Sequence, residues 1–291
     1  MKSFIGTGVA LVTPFKSDKS VDYISLEKLV NHVINGGVEY LVVMGTTAEN
    51  PTLSAIEKNS IIKFIVEKNA GRVPIVLGAG AADTHAVIDN INKADLTGID
   101  AILSVTPYYN KPNQQGLYEH FSAIAKNCPI PIIMYNVPGR TGVNMTAATT
   151  LKLANTHKNI IAIKEASGNI EQIMEIIEKK PSHFEVISGD DGITLPLISV
   201  GCIGVISVVA NSMIKDFSDM VRLSLAGKYN EAKTLHYKLL EFSRLIFAEG
   251  SPAGIKAALK HLGLCDDYVR LPLTPVSESL SLRIRDYLKA I

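Results

Sequence analysis

The 291-residue chain lacks the features that mark membrane, secreted and metal-binding proteins. It has no run of about 18 uninterrupted apolar residues, which is the length that a membrane-spanning helix needs. The segment from Met1 to Gly6 lacks the apolar core and the cleavage site of a signal peptide. Its three cysteines, Cys128, Cys202 and Cys265, are far apart, which argues against a disulfide framework and against a CxxC metal site. These absences predict a protein of the reducing cytoplasm.

Other functional classes also find no support in the composition. The seven histidines form no HxH or HExxH pattern, so we expect no metal ion. The formal net charge of +1 gives no electrostatic basis for binding nucleic acid or an anionic membrane. What the chain does have is 47% hydrophobic residues, enough for a sizeable core in one α/β domain.

Short apolar, β-branched runs alternate along the chain with segments of helical period. One such segment places Ile24, Leu26, Leu29, Val30 and Val33 on one helical face. The predicted strands are residues 8–15, 40–47, 73–80, 101–109, 131–137, 160–167, 184–190 and 202–210. Strands that are apolar on both faces and alternate with helices indicate a parallel sheet. Eight repeats favour a closed (β/α)8 TIM barrel over an open doubly wound sheet, and no GxGxxG follows the first strand.

Two further patterns complete the predicted architecture. Ser54 and Glu57 form a capping box that begins the second helix. After residue 215 there is no strand pattern, and the apolar spacing is typical of packed helices. We therefore predict an α/β protein with a (β/α)8 catalytic barrel at 1–215. A C-terminal helical extension at 216–291 packs on it, and the two form a single structural unit.

Lys164 stands out because it interrupts the end of an apolar, β-branched strand. Burial of a charged amine is costly, and a lysine relieves that cost by lowering its pKa. The neutral amine that results is a nucleophile. The alternative interpretation is a lysine that caps the strand and extends its amine into water.

Catalytic residues of a TIM barrel lie at the C-terminal ends of its strands, and other polar residues share that position with Lys164. Thr46 and Thr47 either cap a turn or bind a small carboxylate. Tyr135 either packs as an aromatic or moves a proton. Arg140 is either solvated or binds a carboxylate through both of its terminal nitrogens. As a set, without a metal or phosphate loop, they indicate Schiff-base chemistry on a small oxo acid.

Two other pairs at strand ends have simpler interpretations. Tyr108 and Tyr109 are interpreted as packing aromatics, since tyrosine suits a strand end that is partly exposed to solvent. Asp190 and Asp191 look like an acid or metal pair, but no histidine is near them in sequence. We therefore expect them to cap a helix and accept hydrogen bonds.

Six motifs stand at predicted strand ends, namely GTTAE at 45–49, TPYYNKP at 106–112, YNVPGRTG at 135–142, IKEASGN at 163–169, SGDD at 188–191 and GVISVVAN at 204–211. Together they give the chain a resemblance to the dihydrodipicolinate synthase family. That family belongs to the pyruvate-dependent class I aldolases, with N-acetylneuraminate lyase. The resemblance covers essentially the whole chain. It implies a lyase that condenses pyruvate with L-aspartate-4-semialdehyde to 4-hydroxy-tetrahydrodipicolinate, in diaminopimelate and lysine synthesis.

The resemblance also implies catalytic roles for the matching residues. Lys164 would form the Schiff base with pyruvate, so that no separate cofactor is needed. Tyr135 would donate and accept protons. Thr46 and Tyr109 would complete a proton relay with Tyr135, and Tyr109 would come from a neighbouring subunit. The implied assembly is a homotetramer built as a dimer of dimers.

Four more residues are implied to bind the substrates. Thr47 and the backbone of Ile206 would hold the pyruvate carboxylate, and Gly189 would belong to the same binding set. Arg140 would bind the carboxylate of the aldehyde. Sialic-acid lyases resemble this chain at the lysine, but they typically have GSTGE in place of GTTAE and lack this arginine.

Two alternative functions remain open. One is a related aldolase that acts on another aldehyde, such as N-acetylneuraminate lyase or a sugar-acid aldolase. The other is a barrel that binds an oxo acid without catalysis. Loss of Lys164 or Tyr135 would favour the second alternative, and both residues are present.

The chain departs in two places from the family that it resembles. Ala48 stands where the family often has glycine, so a positive φ at that position would strain the turn. Relatives that lysine inhibits line a cleft between subunits with polar and acidic residues. The matching positions here are Asn50, Ala55, Lys58, Ala82 and Ala86. Because alanine offers no partner to an ammonium and a lysine repels it, we predict weak or absent inhibition by lysine.

Overall fold

A computed structural model, which describes residues 4–290, contains a closed barrel of eight parallel strands. The strands are β1 Gly6–Ala10, β2 Tyr40–Val43, β3 Ile75–Gly78, β4 Ala101–Val105, β5 Ile132–Asn136, β6 Ile160–Glu165, β7 Glu185–Ser188 and β8 Gly204–Ser207. Each strand pairs with the next in chain order, and β8 closes on β1. The predicted TIM barrel is confirmed. Residues 1–3, at the start of the predicted barrel, and residue 291, at the end of the predicted extension, lie outside the described residues.

Helices surround the barrel and continue after its last strand. They are α1 Tyr23–Asn35, α2 Ala55–Asn69, α3 Thr84–Lys93, α4 Gln114–Asn127, α5 Pro138–Thr141, α6 Ala147–Thr156, α7 Ile170–Lys179, α8 Thr194–Ser199, α9 Ile214–Leu225, α10 Tyr229–Phe247, α11 Ala253–His261 and α12 Glu278–Ala290. The helical C-terminal region is confirmed as α10 to α12. The division of the chain after residue 215 stays a prediction, and it falls within helix α9. Within residues 4–290, no helix is long and apolar enough to cross a membrane.

The first helices follow the sequence pattern closely. Ser54 accepts a hydrogen bond from the backbone of Glu57, and the Glu57 carboxylate accepts one from the backbone of Ser54, so the predicted capping box is confirmed. In α1 the predicted apolar face is buried except at Ile24, which is 71% exposed. Asp22 caps α1, and Ile24 lies in the first turn on the solvent side.

Several strands end earlier than predicted, and this places the polar residues on turns above the barrel. β2 ends at Val43 because Met44 adopts a left-handed φ of 55°, which breaks the extended backbone. A 3-10 turn follows at Thr46–Ala48. β4 ends at Val105, and β8 ends at Ser207 before a 3-10 turn at Val209–Asn211.

The register between β5 and β6 changes by one residue. The paired residues are Ile132 with Ile160, Ile133 with Ala162 and Tyr135 with Lys164. Ile161 is therefore an extra residue on β6, and both Ile161 and Ala162 belong to the apolar cluster inside the barrel. Because side chains alternate between the two faces of a strand, the extra residue puts the side chains of Tyr135 and Lys164 on the same, inner face.

Candidate active site

A cavity of about 750 Å³ lies at the C-terminal ends of the strands. Its volume is in the range of pockets that bind small molecules. Six of the eight predicted site residues line it, namely Lys164, Tyr135, Thr46, Thr47, Arg140 and Gly189. The structure therefore brings together side chains from strand ends that are far apart in sequence.

Lys164 lies near the end of β6 and is only 6% exposed. Its Nζ is 4.3 Å from the centroid of the Tyr135 ring, as expected for two residues that are paired across neighbouring strands. Among residues 4–290, no carboxylate lies within ion-pair distance of this amine. The aromatic face is a weak partner for a cation. The amine is thus available to a molecule that enters the cavity.

Thr46 and Thr47 form the 3-10 turn after β2 together with Ala48. Thr46 is exposed towards the cavity and Thr47 is buried. The turn is fixed from the barrel side because the hydroxyl of Thr13 donates a hydrogen bond of 2.8 Å to the carbonyl of Ala48. The left-handed residue is Glu49, with φ of 56°, and Ala48 does not have a positive φ. The strain that a positive φ would cause at Ala48 is therefore absent.

Arg140 projects from the short helix α5, which begins directly after β5. Pro138 opens this helix at a position where its missing N–H costs no hydrogen bond. The hydroxyl of Thr141 lies within hydrogen-bond distance of the carbonyls of Val137 (3.2 Å) and Val143 (3.0 Å). The guanidinium is exposed at the cavity mouth, where it can meet an anionic group of a substrate.

Gly189 follows β7 and faces Lys164 at very close range. A Cβ at this position would lie 2.7 Å from the Cβ of Ala166 and 3.0 Å from the Cε of Lys164. The absence of a side chain at Gly189 therefore makes room for the lysine. Its φ is not in the left-handed region, so the requirement is one of space rather than of backbone conformation.

The two aspartates after Gly189 have the structural roles that the sequence predicts. Asp190 accepts a hydrogen bond of 2.9 Å from the backbone of Gly192 and caps a 3-10 turn. Asp191 accepts hydrogen bonds from the backbone of Val208 at 3.0 Å and of Val209 at 3.3 Å. Burial raises the pKa of Asp191 to about 6. Through its two hydrogen bonds, this carboxyl fixes the segment that follows β8.

A buried amide and carboxylate cluster behind the lysine was missed in the sequence. The Nδ2 of Asn136 lies 3.1 Å from both carboxylate oxygens of Glu165, which also accepts hydrogen bonds from the backbone of Ser167 and from Gln172. Burial raises the pKa of Glu165. Strand alternation would have indicated this cluster, since a polar residue next to Tyr135 or Lys164 must point away from the cavity and find a partner there.

Two predicted site residues do not line the cavity. Tyr109 is 86% exposed and has a left-handed φ of 74° on the loop after β4. Its neighbour Tyr108 lines the cavity. Ile206 is 1% exposed, and its side chain belongs to the cluster that fills the inside of the barrel. The relay through Tyr109 and the carboxylate contact with the backbone of Ile206 remain predictions.

Of the positions that the resemblance associates with lysine inhibition, Asn50 and Lys58 line the same cavity. Asn50 donates a hydrogen bond of 2.7 Å to the carbonyl of Met44. Burial lowers the pKa of Lys58. Ala55 and Ala82 are exposed on the surface. Weak inhibition by lysine stays a prediction.

Comparison with known proteins identifies relatives over the full length of the chain. The 4-hydroxy-tetrahydrodipicolinate synthase of Flavobacterium psychrophilum is 54% identical over 291 residues, which are 100% of this chain and 99% of that protein. The protein of the same name from Parabacteroides distasonis is 53% identical and covers 98% of this chain and 96% of its own length.

Solved structures give the same result. The dihydrodipicolinate synthase of Aquifex aeolicus superimposes with a TM-score of 0.95 at 41% identity, and covers 99% of this chain and 98% of that one. The chloride-inhibited enzyme of Acinetobacter baumannii, solved in complex with pyruvate, has the same score, identity and coverage. The model of the Dihydrodipicolinate synthetase family matches residues 3–291. The cavity with its buried lysine is thus set in a barrel whose sequence and shape both match one family, and the chain belongs to the dihydrodipicolinate synthetase family.

Proposed function

We propose that this protein is a lyase that condenses pyruvate with L-aspartate-4-semialdehyde to give 4-hydroxy-tetrahydrodipicolinate, in the pathway to diaminopimelate and lysine. The observation that carries the proposal is the buried amine of Lys164, which has the ring of Tyr135 at 4.3 Å and no carboxylate partner in residues 4–290. The names of the relatives support the choice of reaction.

In this proposal, Lys164 supplies the covalent chemistry. Its amine attacks the ketone carbon of pyruvate, and loss of water from the carbinolamine gives an iminium ion. The iminium withdraws electrons, so that the pyruvate methyl group loses a proton and becomes an enamine. The enamine carbon then forms a bond with the aldehyde carbon of the second substrate. The amino group of the aldehyde substrate then attacks the iminium carbon and displaces Lys164, which closes the ring of the product and regenerates the free amine, so the reaction needs no other cofactor.

Tyr135 is the proposed donor and acceptor for the protons that move in these steps. Its place beside Lys164 on the inner face of the barrel supports this role. Thr46 would pass protons between Tyr135 and Tyr109. The 86% exposure of Tyr109 suits a tyrosine that inserts into a neighbouring copy, which requires at least a dimer. The tetramer built from two dimers is proposed from the family resemblance.

The remaining site residues are proposed to bind the two carboxylates. Thr47 and the backbone of Ile206 would hold the carboxylate of pyruvate, and Gly189 would leave space for the lysine and its adduct. Arg140, at the cavity mouth, would bind the carboxylate of the aldehyde, which a neutral sugar aldehyde does not have. We retain the cytoplasm as the proposed location.

Borohydride reduction in the presence of pyruvate tests the covalent step. We expect mass spectrometry to find the reduced adduct on Lys164 and no adduct on the Lys164→Ala variant, which should retain its fold and lose nearly all turnover. An unmodified Lys164 in the wild-type protein would contradict the mechanism and favour a barrel that binds an oxo acid without catalysis. Comparing turnover of aspartate-4-semialdehyde with that of N-acetylneuraminate separates the synthase from the related aldolases.

A further inference from the structure

The threonine turn of the cavity is connected to the helical extension by a completely buried ion pair. Nζ of Lys256, on α11, lies 2.5 Å from Oε1 of Glu49, the residue that follows the turn Thr46–Ala48. Both side chains have no exposed surface. The other oxygen of the Glu49 carboxylate accepts a hydrogen bond of 2.9 Å from the backbone of Arg270. The extension thus supplies a partner to each oxygen of this carboxylate.

Such a pair is not explained by stability alone. Removing two charges from water costs several kcal/mol per ion, so apolar residues of similar volume often stabilise a protein as well or better. Lys256 also donates to the carbonyl of Tyr268 at 2.8 Å, and its Nζ lies 4.2 Å from the centroid of the Phe15 ring. These contacts fix the ammonium at one point, and this fixes the carboxylate of Glu49 in turn.

Glu49 directly follows the turn Thr46–Ala48 and is hydrogen-bonded to the segments on both sides of it. Its backbone N–H bonds to the carbonyl of Thr46 at 3.2 Å, and its own carbonyl accepts hydrogen bonds of 2.9 Å from the backbone and the hydroxyl of Thr52. The 3-10 turn has no side-chain cap at its start. Within the described residues, the side-chain contacts that hold the C-terminal end of the turn are those of the Glu49 carboxylate and of the Thr13 and Thr52 hydroxyls.

We propose that Glu49 and Lys256 are positioning residues, through which the helical extension holds the turn Thr46–Ala48 so that Thr47 binds the pyruvate carboxylate and Thr46 keeps its place in the proton relay. The inference rests on the proposed function and adds a role for the extension. Neither side chain touches the substrate in this proposal. Their loss therefore weakens recognition of pyruvate, while the aldehyde site at Arg140 keeps its geometry.

A second ion pair between the extension and the barrel provides a matched control. Arg270 binds the Glu57 carboxylate with contacts of 2.5 Å and 3.0 Å, but Glu57 belongs to α2 and not to the threonine turn. The Glu57→Gln variant weakens the side-chain anchor of Arg270, whose backbone N–H bonds to Glu49, and keeps both charged side chains of the buried pair. A purely structural role predicts that the two pairs behave alike in activity assays.

The test compares Lys256→Met, the double variant Glu49→Leu/Lys256→Met and Glu57→Gln. We expect Lys256→Met to lose stability because it leaves a buried carboxylate unpaired, and the double variant to regain most of that loss because no buried charge remains. We expect both to raise the KM for pyruvate about tenfold, since the threonines lose a fixed hydrogen-bonded anchor. The KM for the aldehyde should change less than twofold, and Glu57→Gln should leave both constants near their wild-type values.

Two results would overturn the inference. One is a double variant that regains both stability and the wild-type KM for pyruvate, since packing alone would then suffice. The other is an equal rise in KM for Glu57→Gln. If Lys256→Met does not fold, the double variant still decides the question. Failure of the proposed function can be told apart from failure of this inference, because in the first case the wild-type protein gives no borohydride-trapped pyruvate at Lys164.

Discussion

Gly189→Ala is the substitution for which the structure gives the most direct prediction. The added methyl carbon would lie 3.0 Å from the Cε of Lys164, between the Cβ of Ala166 at 2.7 Å and the carbonyl oxygen of Glu165 at 3.1 Å. Two of these three neighbours are a backbone atom and a Cβ, which cannot move without the main chain. The lysine side chain can move away by rotation, whereas relief of the 2.7 Å contact with Ala166 also requires a shift of the main chain.

The size of the effect follows from these distances. Carbon atoms in ordinary contact are about 3.5–4.0 Å apart, so the lysine must move by roughly 0.5–1 Å. Overpacking of this kind costs about 1–3 kcal/mol of unfolding free energy. A misplacement of about 1 Å lowers a rate by up to about 100-fold. We expect Schiff-base formation to slow by about 10- to 100-fold.

The assay is the initial rate of borohydride trapping with pyruvate, measured beside the denaturant midpoint of each protein. Gly139→Ala is the control, because a Cβ at Gly139 meets no heavy atom within 4 Å and its φ is not positive. It should leave trapping and stability near the wild-type values. Trapping by Gly189→Ala at the wild-type rate, with an unchanged midpoint, would refute the steric argument.

Three further predictions concern other residues. Because burial raises the pKa of Asp191 from an ordinary 3.8 to about 6, its contribution to stability is greatest below pH 4 and is lost as the pH rises to 6. Urea unfolding should thus show Asp191→Asn gaining about 2 kcal/mol relative to wild type between pH 4 and 6, and a constant difference would contradict the assignment. Asn136→Ala removes a donor from the buried carboxylate of Glu165 and should cost about 2–3 kcal/mol in the same assay; a loss below 0.5 kcal/mol would show that water replaces the amide. Tyr109→Phe should lower kcat more than it raises the KM for pyruvate, and a pure KM effect would exclude the relay.

The sequence predicts the order of the elements well because their periodicity is a local property. Alternating strands and helices, the capping box at Ser54 and the helical C-terminal region can each be recognised from residues close together in the chain. The strand ends are less predictable. β2 stops at a methionine in the left-handed region, and methionine carries no signal for that conformation, unlike glycine.

The same distinction applies to the site. Lys164, Tyr135, Thr46, Thr47 and Arg140 could be identified because each is a polar residue next to an apolar strand. Their supporting contacts could not be, because the partners are distant in the chain.

Glu49 and Lys256 are 207 residues apart, and Asn136 and Glu165 are 29 apart. The first pair is visible neither as a spacing nor as a motif. For the second, strand alternation indicates that each residue points away from the cavity, but not that the two meet. Which buried charges meet is determined only by the closed barrel and by the docking of the extension on it.

The extra residue in β6 has a consequence for how relatives of this chain are compared. Ile161 is an aliphatic residue in an apolar run, and its chemistry contributes nothing to the reaction. Yet its deletion would leave all six motifs intact, and if Ile160 kept its pairing with Ile132 it would turn the amine of Lys164 towards the helices instead of the cavity, since a shift of one residue reverses the face of every side chain beyond it. A relative with a complete set of motifs, one residue fewer in β6 and that same pairing at the start of the strand would be an inactive barrel. The length of that strand is as much a part of the active site as its lysine.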